Sequence, residues 1–400
     1  MMERRSFLGA AASLGLASGA FAKPRAGARI AVIGGGILGA SIALHCARAG
    51  ARVTLFEKTA PASGATSKSL AWINPFVDDA HYMALRLESL KRWHALDRAV
   101  GTGATWGGYV GFSDKPSDRG RMALQSRELA AAGFPTRPLD LAALKAAAPE
   151  IDAGVLVEAT ASELGGHVEP IFATQRILAA ATAAGARVLF PCPVTAIEPA
   201  KGGVTLVTPR GREAFDHAIV VAGVDAPALL APLGYRLPLL HRPGALVHAK
   251  PLPVITRHVY DGPDPLEWKQ MANGSFVGLE ASGPPPLPVH AEILDHPMAF
   301  PPGIAEMHGQ RILRKLAKYT PALARAEVDF VTLGFRPMPP DDLPVVGKVP
   351  GVPGVSLCVT HSGVTLAAVL GAYVAGEVLH GADEAMLAPY RPDRAFPVRS

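Results

Sequence analysis

The chain has 400 residues, of which 49% are hydrophobic and 18% are charged, and its formal net charge at pH 7 is +5. This composition excludes a chain that is disordered throughout, and the length favours two domains. The charge is modest, and no run of Lys and Arg interleaved with aromatic residues indicates a nucleic-acid partner. The three cysteines are far apart and lack metal-ligand spacing, so neither a metal site nor a disulfide is expected.

Residues 1–22 have the pattern of an export signal. Arg4 and Arg5 precede an apolar stretch that ends in the small-residue sequence Ala20-Phe21-Ala22. The segment resembles a twin-arginine signal, although Glu3 stands where that signal usually has Ser or Thr. We expect this segment to engage the twin-arginine export machinery and the mature protein to be periplasmic. The alternative is a retained tail on a cytoplasmic protein.

The next segments predict a βαβ unit. An apolar strand over 29–33 leads through a glycine-rich turn into a helix over 40–49, and a second strand follows over 52–56. This order of elements is typical of a parallel sheet in a doubly wound α/β domain.

Helices and strands continue along the chain. Asn273-Gly274 predicts a hairpin turn, because this pair favours the tight turn between two antiparallel strands. We predict helices over 81–96, 171–184 and 304–319, and strands over 187–190, 217–222, 267–271 and 275–279.

Three glycines between the first strand and helix fit the dinucleotide-binding fingerprint. Gly34 would make the tight turn, Gly36 would let the backbone approach a pyrophosphate, and Gly39 would let helix and strand pack closely. Glu57, at the end of the second predicted strand, can accept both ribose hydroxyls and would repel a 2′-phosphate. FAD and NAD both remain open at this point, as does a turn without a ligand.

Later motifs, in order, resemble those of the D-amino-acid oxidase and glycine oxidase family of FAD enzymes. They are Ser63-Gly64-Ala65-Thr66-Ser67, Ile219-Val220-Val221-Ala222-Gly223, Gly334-Phe335-Arg336-Pro337 with 341–347, and His361-Ser362-Gly363-Val364-Thr365. The similarity runs over nearly all of 28–381. It implies an α/β fold with a Rossmann-like FAD-binding domain (28–80, 152–235 and 326–400) and an antiparallel-sheet α+β substrate domain (81–151 and 236–325).

The resemblance also implies which residues contact FAD. The loop 63–67 would pass the pyrophosphate and flavin, Val194 would face the adenine, and the helix after Ser362 would direct its N-terminal dipole at the flavin ring. The expected cofactor residues are Gly34, Gly36, Ile37, Leu38, Gly39, Glu57, Lys58, Ser63, Thr66, Ser67, Val194, Ala222, Gly223, Arg336, Ser362, Gly363, Val364 and Thr365.

Two residues are expected to serve catalysis. By the resemblance, Arg336 lies at the mouth of the active site and binds the substrate carboxylate through two parallel hydrogen bonds. The alternative is an arginine that pairs with Asp341, Asp342 or a backbone carbonyl to hold its loop. His361 stands where the family often has glycine, and it either lines the flavin face or caps the sheet.

Other positions leave alternatives open. Lys68 and Trp72 would contact the flavin ring or a water near the electron acceptor. Tyr260 and Trp268 belong either to the pocket wall or to the core. FAD is expected to be noncovalent, because Gly334 lies about where sarcosine-oxidising relatives carry a linking cysteine.

The expected activity is oxidation of the C–N bond of an amino acid or related amine, by hydride transfer to flavin N5 and hydrolysis of the imine. No side-chain base is needed if the amine binds neutral, and none is obvious in the sequence. The electron acceptor would be dioxygen or a quinone or other carrier. The alternatives are an FAD dehydrogenase of a non-amine such as a hydroxy acid, a non-catalytic flavin-binding protein and an enzyme that uses only NAD.

Overall fold

The computed structural model describes residues 27–281, 300 and 303–396, so the expected export signal lies outside the described residues. The helices in these ranges are α1 (Ile37–Arg48), α2 (Ala80–Val100), α3 (Arg121–Ala131), α4 (Leu141–Ala147), α5 (Pro170–Ala183), α6 (Ala226–Leu230), α7 (Ile304–Tyr319) and α8 (Gly363–His380). The strands are β1 (Arg29–Ile33), β2 (Arg52–Phe56), β3 (Trp72–Ile73), β4 (Tyr109–Ser113), β5 (Arg137–Pro138), β6 (Glu158–Ser162), β7 (Gly166–His167), β8 (Arg187–Leu189), β9 (Ala196–Ala200), β10 (Gly203–Thr208), β11 (Gly211–Phe215), β12 (His217–Val220), β13 (Leu240–Ala249), β14 (Val259–Gly262), β15 (Leu266–Gln270), β16 (Phe276–Glu280), β17 (Val328–Met338), β18 (Val345–Lys348) and β19 (Val355–Val359).

A six-stranded sheet in the order β18-β19-β12-β1-β2-β8 forms the first layer. The pairs β19–β12, β12–β1, β1–β2 and β2–β8 are parallel, and β18–β19 is antiparallel. The strand β1 reads Arg-Ile-Ala-Val-Ile and is buried after its first residue, as expected for a central strand with both faces covered. Because β1, α1 and β2 are consecutive, the carboxyl end of β1 leads directly into the N-terminus of α1.

An eight-stranded sheet has the order β17-β13-β16-β15-β14-β4-β6-β5 and is antiparallel except at β14–β4. Helix α7 packs on one face, where Tyr260, Trp268 and Tyr319 join a buried cluster. Tyr260 and Trp268 therefore belong to the core and not to the pocket wall. The opposite face of the sheet is directed toward the start of α8.

Helix α8 lies at the centre of the protein and packs against α1 and α2. Among the described residues it is the helix whose length and hydropathy would suit a membrane span, yet most of it is buried inside the protein. A core helix of a globular fold has the same properties. Its burial on several sides accounts for a sequence that is apolar almost all round.

The predicted elements are found with small shifts at their ends. The hairpin at Asn273-Gly274 joins β15 to β16, and the helix predicted over 304–319 has those bounds. The predicted division between domains differs from the sheets at two places. Strands β6 and β17 were assigned to the FAD-binding domain, but both pair within the eight-stranded sheet. Strand β17 pairs with β13 over ten residue pairs from Leu240–Met338 to Ala249–Val328, so it cannot be separated from the second sheet.

Candidate functional site: a dinucleotide cradle and an adjoining cavity

The turn after β1 brings two backbone segments into close contact. Gly34 has a φ of +120°, a conformation that L side chains rarely adopt, and a Cβ there would lie 2.4 Å from the Val221 carbonyl oxygen. A Cβ at Gly39 would lie 2.0 Å from the Gly34 carbonyl oxygen. The geometry agrees with a tight turn at Gly34 and close packing of α1 at Gly39.

The N-terminus of α1 faces the loop 62–67. The Ile37 N–H donates to Thr66 Oγ1 at 3.2 Å, and a Cβ at Gly36 would lie 3.0 Å from the same oxygen. Because Gly36 has no side chain, the N-terminus of α1 stays open to a ligand. Unpaired N–H groups and the helix dipole favour an anion there. The turn after β1, the N-terminus of α1 and the loop 62–67 together form a cradle that fits the pyrophosphate of a dinucleotide.

Glu57 is buried beside this turn, with 8% of its surface exposed. One carboxylate oxygen accepts the Gly35 N–H and the other accepts the Thr59 N–H, both at 2.8 Å. A carboxylate offers about four acceptor positions, so the two that remain suit ribose hydroxyls. The Cys192 N–H donates to the Glu57 backbone oxygen at 2.8 Å, which places the segment leading to Val194 beside the same site.

Two further expected cofactor segments border the cradle. Ala222 follows β12, and its Cα would lie 3.2 Å from a Cβ at Gly34. The hydroxyl of Ser67 donates to the Ser63 and Gly64 carbonyl oxygens at 3.4 and 3.2 Å, which closes the loop on itself.

Lys58, one of the expected cofactor residues, pairs with an acidic side chain. Its Nζ forms an ion pair with Asp225 at 2.6 Å, and the two side chains are 55% and 48% exposed. The lysine therefore joins the strand β2 to the turn after β12, at the protein surface.

The first turn of α8 is held by a row of side chains on α2. Ser89 Oγ donates to the Thr365 carbonyl oxygen at 2.6 Å, and Trp93 Nε1 donates to the Val364 carbonyl oxygen at 2.9 Å. Arg86 is 5% exposed, and its Nη1 donates to Ser362 Oγ at 2.9 Å. These contacts fix the helix N-terminus that is expected to face the flavin.

The role of Arg86 did not emerge from the sequence. Its other guanidinium bonds go to the carbonyl oxygen and the Oδ1 of Asn74, at 2.9 and 2.7 Å. The signal was present, because helical spacing places position 86 on the same face as Tyr82, Ser89 and Trp93. A charged residue on an otherwise buried helix face indicates a dedicated polar partner.

A cavity of about 370 Å³ lies between the start of α8 and the eight-stranded sheet. It is lined on one side by the loop after the cradle and by the first turn of α8, and on the other by the sheet. Helix α3 contributes Arg121, Met122 and Gln125. The expected site residues that line it are Arg336, His361, Ser362, Val364 and Thr365, together with Lys68 and Trp72.

Arg336 projects from β17 into this cavity. Its Nε is buried without a hydrogen-bond partner, and its guanidinium makes no hydrogen bond or ion pair with any described residue. Asp341, one of its two alternative partners, instead binds Arg394, with Nε–Oδ2 at 2.9 Å. Burial lowers the pKa of Arg336, yet an arginine remains protonated at neutral pH. A half-buried cation whose Nε has no partner among the described residues is complementary to a carboxylate ligand.

His361 lines the same cavity, and its expected position at the flavin face stays a prediction. Burial and the nearby charges of Arg86 and Arg336 lower its pKa to about 4, against the opposing effect of Asp342. The imidazole is therefore neutral at pH 7 and adds no positive charge to the site.

Lys68 lies directly over Gly334. A Cβ at Gly334 would lie 2.7 Å from the Cβ of Lys68, so the lysine stem fills the space that a side chain at 334 would need. Burial, and then the charge of Lys58, lower the pKa of Lys68. The absence of a side chain at Gly334 thus has a local packing reason.

Two acidic residues on the sheet also line the cavity and did not emerge from the sequence. Asp261 on β14 and Glu267 on β15 are directly paired in register, so their side chains lie on the same face. Burial raises the pKa of Asp261 to about 6. Burial, and then the charge of Asp261, raise the pKa of Glu267 to about 7, although Arg336 and Arg86 oppose the shift. The alternation along β15 could have indicated this face, but only with the sheet order known.

A parallel α/β sheet, a glycine turn with a buried carboxylate beside it and a cavity at the start of a buried helix fit a dinucleotide-dependent oxidoreductase. The chain belongs to the FAD-dependent oxidoreductase family, whose model matches residues 29–377. The cofactor is therefore FAD, and the residues of the cradle fit it.

Similar proteins are found by sequence and by structure. The chain is 23% identical over 413 residues to mitochondrial dimethylglycine dehydrogenase of Rattus norvegicus, a match that covers 98% of this chain and 48% of that protein. L-proline dehydrogenase from P. horikoshii has a TM-score of 0.82 at 19% identity, covering 92% of this chain and 97% of that chain. Glycine oxidase from Geobacillus kaustophilus has a TM-score of 0.81 at 21% identity, covering 92% and 100%.

These matches have defined limits. At identities below 25%, the two solved structures establish a shared fold. The chain spans about half the length of the dimethylglycine dehydrogenases that it matches. The matches therefore do not identify the substrate, and the residues of this cavity provide evidence for it.

Proposed function

We propose that this protein oxidises the C–N bond of an amino acid or a related amine. The observation that carries the proposal is the half-buried guanidinium of Arg336, which has no hydrogen-bond or ion-pair partner among the described residues and lines a cavity that reaches the first turn of α8. The three similar proteins described above are each named for an amino acid that they oxidise, which supports an amino acid rather than another carboxylate. Bound FAD supplies the hydride acceptor, and the imine product hydrolyses in water.

The residues of the cavity would orient the substrate. Arg336 binds the carboxylate through parallel N–H bonds and thereby fixes the position of the carbon that loses hydride. Leu246 and Leu279 line the sheet side of the cavity with apolar surface, which limits water around the reacting carbon. Neutral His361 leaves the arginine as the stronger attraction for a carboxylate at that end.

Anaerobic mixing of the holoenzyme with D- and L-amino acids, glycine, sarcosine and proline tests the proposal. We expect at least one of them to bleach the flavin and to release ammonia or an amine. Arg336→Met should raise KM for that substrate by about 10- to 100-fold, since a hydrogen bond to a charged group is worth about 1.5–3 kcal/mol. Arg336→Lys should recover only part of the loss, because lysine lacks the planar fork.

A hydroxy-acid panel is the control for the kind of bond that is oxidised. Bleaching by hydroxy acids without bleaching by any amine would assign the enzyme to C–O oxidation. A flavin that no compound of either panel bleaches would contradict an enzymatic role.

We also propose that FAD is held without a covalent bond. The three cysteines, Cys46, Cys192 and Cys358, are all buried, and none of them lines the cavity. Acid precipitation should release the yellow colour into the supernatant. A pellet that stays yellow would contradict the proposal.

Export and the electron acceptor form a linked proposal. A twin-arginine signal over 1–22 would deliver the folded, FAD-loaded protein to the periplasm, where dioxygen or a quinone or other carrier reoxidises it. Replacing Arg4 and Arg5 by lysine should leave the protein in the cytoplasm with residues 1–22 attached, as measured by fractionation and intact mass. Reoxidation rates with air and with a soluble quinone then identify the acceptor.

A further inference from the structure

We propose that the substrate is an amino acid with a second, positively charged group, a guanidinium or ammonium, which Glu267 and Asp261 bind inside the cavity. The inference rests on the proposed oxidation of an amino acid and names its substrate class. It is drawn from the charges that line the cavity, which sequence patterns did not reveal.

The two carboxyls have no partner in the described part of the protein. Neither side chain makes a hydrogen bond or an ion pair with a described residue, although both are surrounded by protein and open toward the cavity. Glu280 also lines the cavity, but its carboxylate has cationic partners within the protein. Its carboxylate binds Arg311 at 2.6 Å and Lys315, so the fold supplies cations to that acidic residue.

Three cations that line the cavity act on the two carboxyls electrostatically, but none of them forms a hydrogen bond or an ion pair with either one in the described part of the protein. Arg86 is bound to Asn74 and Ser362. Arg121 lowers the pKa of Asp261 but lies at the exposed start of α3, 3.7 Å from Asp118. Arg336 influences the pKa of Glu267 without pairing with it.

The order of strands sets the two ends of the binding site apart. Arg336 is on the edge strand β17, whereas Glu267 and Asp261 lie on β15 and β14, three and four strands away. Leu246 on β13 and Leu279 on β16 lie between them and line the same cavity. A ligand that reaches from β17 to β14 therefore passes Arg336 and apolar surface as well as the two carboxyls, and Arg336 is close enough to Glu267 to oppose the rise of its pKa.

The amine that is oxidised does not account for these carboxyls. Hydride loss from the carbon next to nitrogen leaves a positive iminium, which forms when the nitrogen lone pair is free, so the reacting amine is unprotonated. A carboxylate beside it would favour the protonated, unreactive form. Glu267 and Asp261 suit a cation that keeps its charge, further along the substrate. Their raised pKa values fit this role, since a bound cation would stabilise both as carboxylates.

Binding and turnover of matched compounds test the inference. Arginine and citrulline, in both enantiomers, differ by a charge at nearly constant shape, and guanidinoalkanoates and ureidoalkanoates of matched length repeat the comparison without an oxidisable α-amine. Binding to the holoenzyme is measured from the perturbation of the flavin absorbance. We expect the cationic member of each pair to bind about 10- to 100-fold more tightly, the range of a charged hydrogen-bonded contact.

Isosteric variants identify the residues responsible. Asp261→Asn and Glu267→Gln should remove the preference for the cationic member while leaving affinity for the neutral member within about twofold. Glu327→Gln is the matched control, because that carboxylate pairs with Lys250 at the surface, outside the cavity. The control should retain the wild-type preference.

The outcomes separate the two levels of the proposal. Equal or tighter binding of the neutral compounds by the wild type would overturn the cationic substrate class, and oxidation of neutral amino acids would still uphold C–N oxidation. A preference that survives in both cavity variants would overturn the roles of Glu267 and Asp261. If no amino acid is oxidised, the proposed function fails and this inference fails with it.

Discussion

The cradle and the cavity are built in different ways. The cradle is made mainly of backbone. Because Gly34, Gly36 and Gly39 have no side chain, the turn after β1 and the start of α1 can lie close to each other and to the segments that contain Val221 and Thr66. Most of the cradle comes from the chain between β1 and β2. The cavity is lined by side chains that include those of β13, β14, β15, β17, α2 and α8, and several of its charged side chains have no hydrogen-bond or ion-pair partner among the described residues. The cradle is thus suited to one ligand by shape, whereas the cavity is suited to its ligand by charge. Variants at the two regions should fail in different ways.

The largest effect is expected in the cradle. Gly34→Ala places a Cβ 2.4 Å from a backbone oxygen in an unfavourable φ region, and neither can relax without moving β1 or β12. We expect a loss of about 3 kcal/mol or more in the free energy of unfolding and little yellow protein. Thermal unfolding and the flavin-to-protein absorbance ratio measure both.

Gly376→Ala is the control for the glycine substitution. This helical position has 3.7 Å between a new Cβ and its nearest neighbour, Glu384 Oε1, so alanine should be neutral or stabilising. A Gly34→Ala protein with normal FAD content and unfolding temperature would show that the cradle tolerates side chains.

Arg86 holds the cavity side of the first turn of α8 and should give the next largest effect. Arg86→Met removes the guanidinium bonds to Asn74 and Ser362, which leaves the buried Asn74 carbonyl oxygen without this donor, and we expect a loss of about 2–3 kcal/mol, measured by denaturant unfolding. Arg92→Met on the same helix is the control, because its ion pair with Glu88 is partly exposed and worth less than about 1 kcal/mol. Equal losses in the two variants would contradict a special role for Arg86.

In the cavity, substitution of Glu267 should raise the free energy of unfolding, whereas the substitutions of Gly34 and Arg86 should lower it. Its pKa of about 7 in the folded protein lies above the ordinary value of 4.5, so the folded state binds more protons between these pH values. The free energy of unfolding of the substrate-free enzyme therefore falls as pH rises from about 4.5 to about 7. Glu267→Gln removes this dependence and should stabilise the protein by about 1–3 kcal/mol at pH 8, with little change at pH 4.

Unfolding followed at both pH values decides the point. A variant less stable than wild type at pH 8 would mean that the ionised carboxyl has a stabilising partner. If ionised Glu267 binds a cationic substrate, we expect it to lower the free energy of unfolding of the substrate-free enzyme.

The cradle was predictable because its determinants are local. The glycine spacing, the carboxylate at Glu57 and the strand, turn and helix order all lie within 29–57, where sequence distance and spatial distance agree. The family resemblance then added Arg336 and His361, and both line the cavity.

Glu267 and Asp261 could not be assigned in the same way. Their pairing depends on the β14–β15 register, and their approach to the start of α8 depends on how two sheets meet. The assignments of β6 and β17 differ from the sheets for a related reason, since strand pairing over long sequence distances leaves no local signal. Lys58, an expected cofactor residue, forms an ion pair with Asp225, and its contact with FAD stays a prediction.

Lys58 gives the smallest predicted effect and a direct test of backbone against side chain in the cradle. If the cradle binds FAD mainly through backbone and Glu57, Lys58→Ala should change FAD affinity less than about twofold and stability by about 0.2–1 kcal/mol, the range of an exposed ion pair. Asp225→Ala should have the same effect, and the double variant should be no worse than either single one, since each removes one shared contact. FAD titration of the apoprotein measures the affinity. A tenfold loss in Lys58→Ala that is absent from Asp225→Ala would mean that the lysine leaves its partner to bind the cofactor, and that charge as well as backbone shape selects the ligand of the cradle.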